Sequence, residues 1–183
     1  MMEMRSENQQ VQVYLKGDYR MKSFITNGTI DFLQKLTLKH PDISFSLMSN
    51  NSGALAYYEG EKNVFSAGRT YDIITTKGDI AQEGFVVMNN IPITDEGKPV
   101  FEDAFKKQQD AVESMPGFRA FRLLRPKAGN TYVVFTQWES EIYFNHWKDS
   151  DEFKQAHKEQ MTMPPAYFAE RPFINKYYMV IED

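Results

Sequence analysis

The segment Glu83–Ile93, EGFVVMNNIPI, is the most strand-like run of the sequence, and the reading of the second half of the chain starts from it. With a period of two, Phe85, Val87, Asn89, Ile91 and Ile93 share one face of the strand. Asn89 therefore interrupts an otherwise apolar face, and a buried amide must find hydrogen-bond partners. Two readings stand side by side: an amide satisfied by backbone at a bulge, or a donor placed over a reactive centre. Asn90 next to it is expected to face solvent.

Downstream, Phe101, Phe105, Gln108 and Val112 predict the inner stripe of a helix over 96–114, with Pro99 tolerated in its first turn. Met115-Pro116-Gly117 stops it. FRAFRLLRP and TYVVFTQW then form two strands around a turn at Lys127-Ala128-Gly129-Asn130. Ser140 can cap a short helix carrying Trp147. A second helix begins near Ser150, with Asp149 and Glu152 at capping-box spacing, and presents His157. FINKYYMVI is the last strand. The order β-α-β-β-α-β is the split βαβ of a ferredoxin-like fold.

Upstream, MKSFITNG is a strand ending in the turn pair Asn27-Gly28, and Thr29 caps a helix that stops at His40-Pro41. Ile43, Phe45 and Leu47 alternate as a strand, and Asn51-Ser52-Gly53 turns the chain into ALAYYE. A short strand at Val64-Phe65 and a brief helix around Tyr71, Ile73 and Ile74 complete this half. Its grammar resembles that of the second half, without a sequence repeat. The expected class is α+β: a flexible extension over residues 1–20, an α+β half over 21–82, and a ferredoxin-like domain over 83–183 against which that half packs.

The chain has 183 residues, 42% hydrophobic and 14% aromatic, enough for a sizeable core without staples. A net charge of −4 with no basic block argues against nucleic acid as a partner. The absence of cysteine excludes thiolate catalysis, iron–sulfur ligation and cysteine-based zinc sites, and fits a cytoplasmic protein. No apolar run approaches the roughly 18–20 residues of a membrane span, so no membrane partner is expected. HExxH, GxSxG, GxGxxG and Walker patterns are all missing.

Three histidines remain as candidates for chemistry. His40, before a proline at a helix end, suits a structural role, and His146 is assigned to the surface. His157 lies one helical turn beyond Phe153 on the same face. It is either a part-exposed histidine among Lys154, Lys158 and Glu159, or an imidazole held against a dry wall for a haem iron. Trp147 is a core residue or a wall against a planar cofactor, and Trp138 is assigned to packing.

The run GFVVMNNIPITDEGKPVFEDAFKKQ, followed by MPGFRAFRLLRP, TYVVFTQWES and a tryptophan ten residues before the histidine of KQAH, resembles the antibiotic biosynthesis monooxygenase (ABM) superfamily. Within it, the chain from Met21 onward is similar to the two-part haem-degrading monooxygenases of the HmoB type, relatives of the IsdG type; KSFITNGTIDFLQKL resembles their opening. The resemblance implies a dimeric α/β-barrel type of fold. It implies His157 as axial ligand of the haem iron, beside Phe153 in the haem-binding wall. It further implies Asn89 as hydrogen-bond donor over the reacting edge and Trp147 as the residue that bends the ring. Haem would be substrate and cofactor, opened with O2 and electrons from an unidentified reductase. Arg122, Arg125 or lysines are the candidate partners of its carboxylates. ABM domains of the second-half type pair their sheets as dimers, so here the first half can stand in for a second subunit, giving a monomer; a homodimer is the alternative. Two other functions fit the same resemblance: haem sensing or signal transduction without turnover, as in the staphylococcal TRAP family, or cofactor-free oxidation of an aromatic polyketide.

Overall fold

The computed structural model describes residues 21–160 and 163–181; the expected extension over 1–20 lies outside them. In chain order the elements are β1 (Lys22–Gly28), α1 (Ile30–Leu38), β2 (Ser46–Asn50), β3 (Gly53–Gly60), β4 (Arg69–Gly78) and β5 (Phe85–Pro92). There follow α2 (Lys98–Glu113), β6 (Phe118–Pro126), β7 (Thr131–Trp138), α3 (Glu141–Lys148), α4 (Asp151–Gln160), a 3-10 turn (Pro165–Tyr167) and β8 (Phe173–Met179). The fold is α+β.

The eight strands close into one barrel in the order β1-β3-β2-β8-β5-β7-β6-β4, every pair antiparallel. Each half contributes four strands in the same relative order, β4-β1-β3-β2 and β8-β5-β7-β6, which is the ferredoxin-like arrangement twice over. The halves are therefore not two packed sheets but one sheet. One junction is β4 against β6, registered from Tyr71↔Pro126 to Gly78↔Ala120. The other is the short β2–β8 contact at Met48↔Met179 and Ser49↔Tyr178.

Closure gives the barrel a largely apolar interior, filled by residues of both halves such as Ile25, Leu55, Val86, Met88, Leu124 and Phe135. Tyr57 of β3 stacks on Phe135 of β7 across it, centroids 5.1 Å apart. It also overturns the expectation for Asn90, which is buried rather than solvent-facing and donates its amide to the carbonyls of Met88 (3.1 Å) and Phe173 (3.3 Å). A strand in an open sheet has a wet face; in a closed barrel the second face is interior.

The segment expected as a brief helix is strand β4. Tyr71 and Ile73 pack with the barrel core, and a bulge between Ile73 and Thr75 turns Ile74 outward against the core beneath α2. A bulge breaks the period of two, so the apolar spacing 71, 73, 74 imitates a helix turn. Val64 and Phe65 form no strand: their N–H groups donate to the Tyr58 hydroxyl (2.8 Å) and to Asn63 Oδ1 (2.9 Å). The strand at Ile43–Leu47 begins only at Ser46.

Two layers cover the outside. Over β1–β3–β2, α1 is capped by Thr29, whose hydroxyl accepts from the Phe32 N–H at 3.3 Å. It closes a solid cluster of Leu33, Phe24, Leu47, Tyr58 and Phe65. Over β5–β7–β6 lie α2, α3 and α4. Phe101, Phe105 and Val112 carry the inner stripe of α2; the Gln108 side chain lies outside the described residues. Gly117 makes the tight turn after α2 with φ +76°, and a Cβ there would meet the Tyr143 ring at 2.1 Å, so α3 seats directly on it. Among the described residues no helix is long and apolar enough to cross a membrane.

Candidate functional site

The two outer layers differ in one respect. The first packs a cluster under α1 and is grooved only at its polar edge, between residues 27–30 and 49–54, whereas between β5–β7–β6 and the helices α2, α3 and α4 lies a cavity of about 470 Å³, within the range of small-molecule sites. Val87, Asn89 and Ile91 of β5 and Val134 and Thr136 of β7 form its floor. Trp147, Phe153 and His157 stand in its helical wall. The structure thus brings Asn89, Trp147, Phe153 and His157 around one space, although 68 positions separate the first from the last. His40 lies beside Phe45 and His146 beside Tyr143, and neither lines the cavity.

Asn89 is the polar intruder in the floor. It pairs in unbroken register with Val134 on one side and Ile174 on the other, so no bulge offers it a backbone partner. Its Oδ1 is buried and has no hydrogen-bond partner among the described residues. An unmade bond of this kind costs about 1–3 kcal/mol, and evolution retains such costs chiefly where a ligand repays them.

The wall is set by the turn between α3 and α4. Ser150, not Asp149, caps α4: its Oγ accepts from the Phe153 N–H at 3.1 Å and donates to the Trp147 carbonyl at 2.6 Å. Asp149 instead closes α3, its N–H bonded to the Asn145 carbonyl. One hydroxyl thereby ties the two ring-bearing residues, whose rings meet edge to face at 5.5 Å. Trp138, fully buried, backs Trp147 with its ring 6.3 Å away and 26° from parallel. Phe153 and His157, four apart on the helix, stack at 5.7 Å with planes 12° apart. The His157 side chain is exposed at the mouth, and its ring makes no hydrogen bond among the described residues.

The two candidate arginines are committed elsewhere. Arg122 is buried, donates to Glu59 at 2.7 Å and to the carbonyls of Lys77, Gly78 and Phe121, and so pins β4 to β6. Arg125 is bonded to Glu102, which also accepts from the Tyr132 hydroxyl at 3.0 Å. Burial, reinforced by that carboxylate, holds the Tyr132 phenol protonated well above its ordinary range. Lys148 lines the cavity instead, and Lys176 reaches the Phe144 ring of its lining. The ammonium groups of Lys148 and Lys176 stand 5.7 and 5.6 Å from the centroid of the same Phe144 ring, and neither has a carboxylate partner among the described residues. Two like charges left unpaired beside an apolar cavity favour an anionic group between them. Sequence reasoning did not single out Thr136, Lys148 or Lys176; only for Thr136 was there a signal, since period two puts it on the face of Val134 and Trp138.

The model of the antibiotic biosynthesis monooxygenase family matches residues 84–159, which contain the whole of the α2, α3 and α4 layer up to Glu159. A haem-degrading monooxygenase of Listeria monocytogenes is 31% identical over 131 residues, 70% of this chain and 78% of that protein. The signal transduction protein TRAP of Staphylococcus epidermidis is 24% identical over 136 residues, 74% of this chain and 81% of that protein. Among solved structures, LmHde, a haem-degrading enzyme from Listeria monocytogenes, superposes with a TM-score of 0.69 at 25% identity, over 86% of this chain and 98% of that one. With its ferredoxin-like halves, the family match and a relative of this similarity, the chain belongs to the antibiotic biosynthesis monooxygenase family, alongside the Listeria haem-degrading monooxygenase.

Proposed function

We propose that the cavity binds haem as both substrate and cofactor, and that the protein opens the porphyrin with O2 and externally supplied electrons, releasing iron. The observation that carries this reading is the unsatisfied Asn89 amide facing Trp147, Phe153 and His157 across one apolar space. His157 is the one imidazole that lines the cavity, and it is the side chain that would hold a haem iron there. The residues fit a planar, apolar ligand with an anionic edge: an aromatic slot, one imidazole, one amide and two rim lysines.

The chain's own residues divide the work. His157 would supply a ring nitrogen for the iron, with its plane set by the stack on Phe153. Trp147, braced by Trp138 and tied through Ser150, would stand as a rigid wall against the face of the ligand. Asn89 donates a hydrogen bond toward the reacting edge. Lys148 and Lys176 receive the two carboxylates at the rim, in place of the arginines. The apolar wall excludes bulk water. Bound haem supplies the redox chemistry, the protein orientation and electrostatics. Electrons come from a separate reductase, since the sequence carries no nucleotide-binding motif. The single-chain barrel supports a monomer, and the lack of cysteine a reducing, cytoplasmic setting.

The test is direct. On mixing with haemin and then with reductant under air, the Soret band should decay while iron becomes available to a chelator. A haemin complex that survives several reductants unchanged overturns turnover. The similarity to TRAP proteins then makes sensing without degradation the better account.

A further inference from the structure

We propose that Asn89 and Thr136 together hold one water molecule on the floor of the cavity, and that Thr136 is thereby the positioning residue for the Asn89 amide. Asn89 lies opposite Val134 and Val87 opposite Thr136, so Asn89 and Thr136 are diagonal neighbours on one face of β5–β7, and both line the cavity.

Their hydrogen-bonding capacities are complementary and unspent. The Trp138 indole N–H donates to Thr136 Oγ1 at 3.0 Å, and the pair is buried. That bond fills one acceptor site of the hydroxyl and turns its proton away from the indole. The proton has no acceptor among the described residues, just as Asn89 Oδ1 has no donor. A donor without an acceptor and an acceptor without a donor thus stand on the same floor, and no hydrogen bond joins them. Diagonal residues of an antiparallel pair have Cα atoms roughly 7–8 Å apart and Cβ atoms somewhat closer. One water with bonds of about 2.8 Å to each side spans such a gap between side-chain oxygens. The water accepts from Thr136 and donates one hydrogen to Asn89 Oδ1. A buried water commonly makes about three hydrogen bonds, so its second hydrogen is left for whatever fills the cavity.

Two consequences follow. The orphaned oxygen becomes satisfied, and the amide is locked with its NH2 group turned to the ligand rather than free to flip. The fully buried Trp138 acquires a second role beyond backing Trp147, since its indole orients the hydroxyl. The water itself does not depend on which ligand the cavity takes; its use in fixing Asn89 over haem rests on the function proposed above.

Crystals of the apoprotein, diffracting well enough to show ordered water, test the site without any ligand. The wild type and Thr136→Ser should show a water within hydrogen-bond reach of Asn89 Oδ1 and the residue-136 hydroxyl. Thr136→Val, which keeps the shape and removes the hydroxyl, should lose it. An empty position in the wild type, or a water retained in Thr136→Val, overturns the proposal. Should Thr136→Val fail to fold, Asn89→Leu removes the other anchor, and persistence of the water there overturns it equally. In the haemin-loaded protein, Thr136→Val should keep its haemin affinity but turn over about 10-fold more slowly, with Thr136→Ser close to wild type. A parallel loss of affinity overturns the positioning role. Failure of the wild type to bind haemin overturns the haem reading alone, because the apoprotein crystals still decide the water.

Discussion

Replacement of His157 by alanine is expected to abolish haem turnover while leaving the fold intact. The side chain is exposed, makes no hydrogen bond among the described residues and sits near the end of α4, so its removal breaks nothing that holds the helix. Alanine is also the better helix former by a few tenths of a kcal/mol. Thermal melting should accordingly be unchanged or slightly higher. Haemin affinity should fall by more than the roughly 10–100-fold that loss of an outer-shell partner costs, and the absorption spectrum should lose the signature of a nitrogen-ligated iron. Imidazole added to the variant should restore part of that spectrum, since the stacking surface of Phe153 remains. A variant with the wild-type spectrum would remove His157 from the iron.

Asn89→Leu is expected to remove activity while leaving stability nearly unchanged. The asparagine oxygen is buried with no side-chain or backbone partner among the described residues, and the space in front of it accepts a leucine side chain. With a water already satisfying that oxygen, its exchange for leucine should change stability by no more than about 1 kcal/mol, read as a shift in Tm of no more than about 2–4 °C for a chain of this size. Turnover should drop by about 10²–10³, the usual cost of losing one preorganised donor, with haemin still bound through His157. A structural asparagine behaves otherwise: its loss lowers Tm by more than this and spares turnover. A fall in Tm together with undiminished turnover would mean that the amide serves the fold and not the ligand.

Much of this was visible in the order of residues. The alternation of EGFVVMNNIPI placed Asn89 on an apolar face, and the helix of Phe101 and Phe105, the hairpin around Gly129 and the seat of Trp147 all fall where spacing and turn chemistry put them. What escaped has a common cause in closure of the sheet. Asn90 looked wet because alternation tells two faces apart but does not say whether the second is solvent or barrel interior. Tyr71, Ile73 and Ile74 looked helical because a bulge, which only the pairing with β6 defines, shifts the face in mid-strand. Arg122 and Arg125 looked available to a ligand because their partners, Glu59 and Glu102, are distant in sequence. Thr136 looked ordinary because a threonine on a half-buried strand is common; only the indole of Trp138 occupying its acceptor sets it apart. The asparagine, tryptophan and histidine stood out together only through the family resemblance, since each taken alone has a common structural role.

The twofold likeness of the two halves has a consequence for stoichiometry. A barrel assembled from two identical subunits offers two equivalent outer layers and hence two binding positions. Here the outward face of the first half is occupied by its own aromatic cluster, with Phe24, Tyr58 and Phe65 packed under α1. On that face Thr26, unlike Asn89, is already bonded, its hydroxyl donating to the Ala67 carbonyl at 2.5 Å. Titration with haemin should therefore saturate at one equivalent per chain of 21.3 kDa and per barrel, with a simple hyperbolic isotherm and no cooperativity between sites. Joining unlike halves in one chain lets one outer layer hold the cavity and the other serve packing alone.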